Sequence, residues 1–379
     1  MTVAEAAVQG FADERFAEVR DIFEDNLASG RDLGACVAIT LEGEPVVDLW
    51  GGWADAAKTR PWQRDTIVNV FSVTKTMTAL CALILADRGE LDFDAPVARY
   101  WPEFAAAGKE RVTVAQLMSH SAGLSGWRAP IAVADLYDWD KATSLLAAQA
   151  PWWEPGTASG YHGTTQGYLV GEVVRRIDGR SLGTFFREEI AEPLGADFRI
   201  GFGPEHDHRV AELIPPTVAG GANWAPSELQ INLVTNPQMD VLEALTRDWR
   251  AAEIPAAGGH GNARSIAQVH AILANGGVAQ GKRFLSEAGC RKALEHQISG
   301  TDLVLGMPVS LGLGYGLAEM LNQPSPNSMF WSGYGGSLAL IDMDARTSFA
   351  FTMNKMGATT FGDERSLAMA RAMWRALGL

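Results

Sequence analysis

Cysteine is scarce in this chain, with three in 379 residues. Cys36, Cys81 and Cys290 lie far apart, so they offer neither a metal-type Cys spacing nor a disulfide framework. Three small buried hydrophobes are expected instead. Positive charge is also short. There are 31 Lys+Arg against 45 Asp+Glu, a formal net charge of −14. Nucleic acid or an anionic membrane surface would need a concentrated positive field, so the balance argues against both as main partners. The most apolar stretch, Met77 to Ala86, falls far short of the ~20 residues that span a bilayer. The first segment carries Glu5, Asp13, Glu14, Glu18 and Asp21, the opposite of a basic start followed by an apolar run. A reducing, cytoplasmic setting is the expectation. Internal repeats and low-complexity tracts are absent too.

What is present is apolar mass. With 47% hydrophobic and 20% charged residues over 379 positions, the chain can bury a large core, and its length suggests about two domains. Apolar positions Phe11, Phe16, Val19, Ile22, Phe23 and Leu27 have helical spacing and predict a helix over 11–27 that ends near Gly30. Ala35 to Leu41 and Val46 to Trp50 read as strands joined by Glu42-Gly43-Glu44. At the other end, Gly336 to Asp342 and Ser348 to Asn354 are β-rich runs across a turn, followed by a helix from Glu364 to Leu377. The pattern predicts an α/β (α+β) fold, an antiparallel sheet built from both termini and flanked by helices. Residues 1–63 and 251–379 would form that domain. Residues 64–250, mostly helical by periodicity, would be inserted into it, with the active site in the cleft between. The stretch from Glu205 to Gly261 has little periodicity and reads as a long ordered cover.

Chemistry concentrates at Phe71-Ser72-Val73-Thr74-Lys75, which runs straight into the apolar stretch Met77 to Asp87. Ser72 and Lys75 are three apart, so at a helix start they share a face, about 5–6 Å apart at Cβ. Asn69 or Ser72 is placed to cap that helix, leaving its first N–H groups free for an oxyanion. The helix is apolar nearly all round, so the Lys75 amine sits at a poorly solvated end, and burial lowers a lysine pKa. With a pKa near 10.4, only about one lysine in 2,500 is neutral at pH 7. Bringing that pKa near neutrality costs the fold roughly 4 kcal/mol and yields a base for the Ser72 proton.

Ser-x-x-Lys is the nucleophile motif of class A β-lactamases and penicillin-binding proteins. The chain resembles the serine β-lactamase-like hydrolases, and within them class C β-lactamases and family VIII carboxylesterases. The likeness is carried by Ser72-Val73-Thr74-Lys75, by Val114 to Leu124, by Glu154-Pro155-Gly156, by Tyr161-His162-Gly163, and by Phe330 to Ser337. These follow in the family's order from about residue 15 to the C-terminus. The resemblance implies a β-lactamase/transpeptidase-like fold and makes Tyr161 the second-motif tyrosine, sharing the proton work with Lys75 as a coupled pair. Its phenol is useful as a base only if a neighbouring cation favours phenolate. The resemblance also gives the oxyanion hole to the backbone N–H groups of Ser72 and Tyr334, with Gly333 and Gly335 allowing close backbone approach. In this reading Trp331-Ser332-Gly333-Tyr334 precedes the strand Gly336 to Asp342, an edge strand beside the nucleophile.

Two departures matter. Trp331 stands where the β-lactamase pattern has the lysine of Lys-Thr-Gly, and Gly163 stands where the second motif carries asparagine. Both remove polar recognition of a charged lactam. The expected substrate is therefore a small neutral ester, cleaved by a carboxylesterase through an acyl-Ser72 intermediate without cofactor or metal. A β-lactamase or D-amino-acid peptidase is the alternative within the class, and a non-catalytic scaffold the alternative outside it. Trp331, Trp127, Trp153 and His162 are candidate substrate-binding residues beside Gly333 and Gly335, and Trp152 and Trp224 also flank motifs. His120 is expected to be a structural hydrogen-bonder and His206-Asp207-His208 a polar loop. Gly179-Arg180-Ser181-Leu182-Gly183 matches a nucleophile-elbow pattern but follows a helical segment, and so reads as an inter-helix turn.

Overall fold

The computed structural model describes residues 7–216 and 226–379; Trp224 and Gly220-Gly221 lie outside the described residues. From the N-terminal side run strand β1 (Gln9–Ala12), helix α1 (Ala17–Ala28) and the hairpin β2 (Gly34–Leu41) and β3 (Glu44–Gly52). The middle carries β4 (Val68–Asn69), α2 (Thr74–Asp87), α3 (Val114–Met118), α4 (Trp139–Ala148), α5 (Thr165–Asp178), α6 (Leu182–Phe186), α7 (Glu192–Leu194) and β5 (Phe198–Ile200). Helices α8 (Glu228–Thr235) and α9 (Arg247–Ala251) follow. The last third holds β6 (Gly259–Gly261), α10 (Ala263–Ala274), the small hairpin β7 (Val278–Ala279) and β8 (Lys282–Arg283), and α11 (Glu287–Lys292). It ends with β9 (Ile298–Thr301), β10 (Pro308–Leu311), β11 (Gly316–Leu317), β12 (Ser328–Ser332), β13 (Leu338–Asp342), β14 (Thr347–Met353) and α12 (Glu364–Leu377).

The large sheet is antiparallel, in the order β1-β3-β2-β14-β13-β12-β11-β10-β9. The two terminal hairpins meet at its centre, where β14 pairs β2 from Thr347↔Leu41 to Met353↔Ala35. Glu42 and Gly43 both have positive φ, 53° and 87°, the mirror-image two-residue turn whose twist matches a hairpin. Successive residues of β2 enter different cores. Ala35, Val37 and Ile39 pack with Phe16, Phe23, Met373 and Trp374 of the outer helical layer. Cys36 and Ala38 join the inner core with α2 and α10. Both faces are covered, so β13 and β14 are buried at every position, their polar residues Asp342, Thr347, Ser348 and Thr352 included.

Local expectations fail in three places. Phe11 and Ala12 lie in β1, paired with Asp48 and Val47 of β3, so strand pairing overrides their helical spacing and α1 begins only at Ala17. The stretch expected to be a long cover contains α8 and α9. The third motif does not precede β13 on an edge: Trp331 and Ser332 end β12, an interior strand between β13 and β11. A small sheet, β4-β6-β5, stitches the middle segment to the last third directly beside the nucleophile. The other minor readings match their places. Gly179, at φ 91°, ends α5, and Ser181 caps α6 by accepting from Thr184 N–H. Asp207 forms ion pairs with Arg247 and Arg250. All three cysteines are buried and unpaired. Among the described residues no helix is long and apolar enough to cross a membrane.

Candidate active site

Ser72 sits in a tight helical turn, Phe71–Val73, that feeds α2. No side chain caps this start, contrary to the role considered for Asn69 or Ser72. Asn69 Oδ1 instead accepts from Trp249 Nε1 at 3.0 Å. The turn is held from β6. Val70 N–H donates to Gly259 O at 2.9 Å, Gly259 N–H donates to Thr74 Oγ1 at 2.9 Å, and Thr74 Oγ1 donates to Phe71 O at 2.6 Å. Phe71 has φ 44°, a left-handed conformation that costs a non-glycine residue energy and clusters at functional sites. It projects Ser72 into the cavity, where the residue remains 7% exposed.

Lys75 lies one turn on and is 1% exposed. Its Nζ is 3.0 Å from Ser72 Oγ and 3.0 Å from Tyr161 OH, and it donates to Gly163 O at 2.6 Å and Ala256 O at 3.0 Å. Ser72 Oγ and Tyr161 OH share a short hydrogen bond. The donor count is informative. A neutral amine has two N–H groups, and the two carbonyls take both, so its lone pair faces the hydroxyls. Burial pulls the Lys75 amine well below the usual lysine range. Burial also pushes the Tyr161 phenol above its usual range, against the lowering by its bond to Ser72. Phenolate is therefore not the resting state. A neutral Lys75 supplies no cation to favour it, and Tyr161 rests protonated.

Tyr161 is positioned by a residue with no motif. Asp302, 1% exposed, accepts from Ser159 Oγ at 2.5 Å, Tyr161 N at 3.0 Å, Val304 N at 2.9 Å and Leu305 N at 2.8 Å. Asp is common, and nothing local distinguishes this one. His120 has φ 59°. Its ring stacks on Trp331 at 5.3 Å between centroids and lies 5.3 Å from that of Tyr161. Its Nδ1 accepts from His162 N–H at 3.0 Å. Burial lowers the His120 pKa well below the ordinary histidine value, so the ring is a neutral wall.

The cavity beside Ser72 is about 430 Å³ and is bordered by Phe71, Trp127, Leu136, Tyr161, Leu233, Met239 and Tyr334. Of the expected substrate-binding residues, Trp127 borders it, while the others stand behind its walls. His162 is fully buried, with Nε2 accepting from Leu124 N–H at 3.0 Å and Nδ1 2.6 Å from Gly160 O. Burial lowers its pKa to about 4. Trp153 packs edge-on against the His162 ring at 6.0 Å, with Nε1 donating to Ala158 O at 2.9 Å. Trp331, 2% exposed, buttresses Tyr161 from an aromatic cluster with His120 and Phe361. Gly333 matters for backbone approach, since a Cβ there would fall 2.1 Å from Val70 O and 2.3 Å from Ser337 Oγ. Gly335, at φ 97°, turns its carbonyl to Arg365 Nη2 at 2.7 Å. Tyr334 is thereby brought to the cavity opposite Ser72, its ring 5.9 Å edge-on from Phe71. Among the described residues, neither the Ser72 nor the Tyr334 N–H has a hydrogen-bond acceptor.

A buried serine–lysine–tyrosine cluster at the start of an apolar helix, facing the end of a sheet strand, is the arrangement of an active-site serine hydrolase. The β-lactamase family profile matches residues 19–373, and the chain belongs to that family. It is 36% identical over 377 residues, 92% of this chain and 83% of the other, to the esterase/β-lactamase LipL of Mycobacterium tuberculosis. Its fold superposes on a family VIII carboxylesterase with TM-score 0.93 and 44% identity, covering 98% of this chain and 100% of that one. A penicillin-binding protein homologue from Caulobacter crescentus gives TM-score 0.90 and 41% identity, with 98% and 100% coverage. The protein is a serine hydrolase with a β-lactamase/transpeptidase-like fold.

Proposed function

We propose that the chain is a carboxylesterase that cleaves small neutral esters through an acyl-Ser72 intermediate. The observation that carries this reading is the mutual contact of Ser72, Lys75 and Tyr161 beside a cavity with largely apolar walls. Ser72 Oγ attacks the ester carbonyl carbon while its proton passes to the Lys75 lone pair, directly or through Tyr161. The carbonyl oxygen becomes an oxyanion held by the Ser72 and Tyr334 N–H groups. Collapse breaks the bond to the alcohol oxygen, which takes the proton back through Tyr161, leaving acyl-Ser72. Water then attacks the acyl carbon and loses its proton to the same pair; collapse breaks the bond to Ser72 Oγ, which takes that proton back as the acid leaves.

Names among the relatives also include β-lactamases, so slow lactam hydrolysis is the second reading. The aromatic cluster around Trp331 favours the ester, because no cation stands there for a lactam carboxylate. Three buried, unpaired cysteines suit a reducing compartment, and the cytoplasm is the proposed location. The test is turnover of p-nitrophenyl butyrate with mass analysis of the acylated protein. Wild-type enzyme should carry the acyl mass on Ser72, and Ser72→Ala should neither turn over nor label. Full activity of Ser72→Ala, or a wild type fast on cephalosporins and inert to esters, would reverse the assignment.

A further inference from the structure

We infer that Leu233, delivered by α8, is a specificity-determining residue that makes the wall of the acyl pocket beside Gly163 apolar. The inference rests on the esterase reading above. Helix α8 is pinned over the site from two sides. Asn232 Nδ2 and Asn236 Nδ2 donate to Trp127 O at 2.9 and 2.8 Å, and Asn236 Nδ2 also donates to Ala129 O at 2.9 Å. From the sheet side, Gln230 Nε2 donates to Val304 O at 3.0 Å. So held, Leu229 and Leu233, one turn apart, pack on the cluster that contains Tyr161 and Trp331.

Gly163 is where this matters. A Cβ built there falls 2.6 Å from Leu233 Cδ1, the tip of a rotatable side chain, so a side chain at 163 must turn that methyl aside. Leucine at 233 and a side chain at 163 thus claim the same space. The glycine does not simply leave a gap where a motif amide could stand, because Leu233 fills that space with methyl groups. Both residues border the cavity that holds Ser72. The acyl group stays bonded to Ser72 after the alcohol departs, so that cavity is its place. On the Leu233 side an unbranched alkanoyl chain finds an apolar wall with Val234, Met239 and Val241. An acyl group bearing an amide loses its hydrogen bonds to water and gains none from leucine, an unpaired polar burial that selects strongly against it.

The test compares wild type, Leu233→Ala, Gly163→Asn and the double variant on p-nitrophenyl esters from acetate to octanoate and on an N-acylglycine p-nitrophenyl ester. Leu233→Ala should shift the optimum to longer acyl chains. Gly163→Asn alone should lose about tenfold or more in kcat/KM on butyrate, the scale of one misfitted group in an apolar pocket. The double variant should recover much of that loss and gain relative activity on the acylglycine ester. Melting temperatures of the same four proteins read the steric conflict without any turnover, since Gly163→Asn should cost less stability when residue 233 is alanine. If no ester is hydrolysed by wild type but the melting penalties couple, the esterase reading fails and the shared-space relation stands. An unchanged chain-length profile in Leu233→Ala, or an equal Gly163→Asn penalty in both backgrounds by both readouts, overturns the inference.

Discussion

Asp302 Oδ1 accepts the Tyr161 backbone N–H at 3.0 Å across 141 residues of sequence. The bond ties the second-motif loop, which carries the phenol, to the turn between β9 and β10. The same carboxylate also takes Ser159 Oγ, Val304 N–H and Leu305 N–H. One buried side chain therefore fixes where the Tyr161 oxygen meets Ser72 and Lys75.

Asp302→Ala should remove this acceptor and strand several buried donors. Each costs about 1–3 kcal/mol when left unpaired, so urea unfolding should show a loss of about 3 kcal/mol or more. In the folded fraction kcat should fall with little change in KM, because the proton relay and not the acyl pocket is disturbed. Wild-type stability in this variant would show that the loop is held by other contacts.

Lys75 is tested through pH. Its folded pKa lies below its unfolded value near 10.4, so below that value the unfolded chain binds a proton the native state refuses. Stability contributed through this group therefore falls as pH drops from about 10 toward the lowered native pKa, by up to about 1.4 kcal/mol per pH unit. Lys75→Met removes the refused proton. It should be inactive yet more stable than wild type at pH 7, with the advantage shrinking as pH approaches 10. An advantage that does not change with pH would mean that Lys75 is protonated in the native state.

Gly333→Ala introduces a Cβ 2.1 Å from the Val70 carbonyl. Backbone must move, and it moves the Tyr334 amide away from Ser72. The loss of one oxyanion donor is worth about 10²–10³ in kcat, and the variant should lose about that much on p-nitrophenyl acetate. Turnover within twofold of wild type would rule out the Tyr334 amide as a donor.

Trp331→Lys restores the residue type of the β-lactamase pattern, and sequence comparison alone would suggest a gain on β-lactams. The fold argues otherwise, because the replaced ring is packed among His120, Tyr161 and Phe361. Loss of a buried tryptophan costs about 3–5 kcal/mol, before the cost of burying an ammonium. Thermal denaturation should show a large drop in melting temperature, and ester hydrolysis should fall. Faster cephalosporin hydrolysis with an unchanged melting temperature would refute this account of the cluster.

What the sequence by itself determined is short-range. Ser72 and Lys75 share a helix face by spacing alone, Glu42-Gly43 makes a hairpin by its turn chemistry, and Glu364 to Leu377 is legible as a helix. These follow from local sterics and hydrogen bonds, which need no knowledge of distant chain. Tertiary contact decided the rest. It paired Phe11 into a strand, set Trp331 behind Tyr161 and not in the pocket, brought Asp302 under the phenol, and laid Leu233 into the space beside Gly163. The protonation of Lys75 and Tyr161 belongs to the same group, because a pKa follows from burial and neighbours, and both are properties of the packed chain.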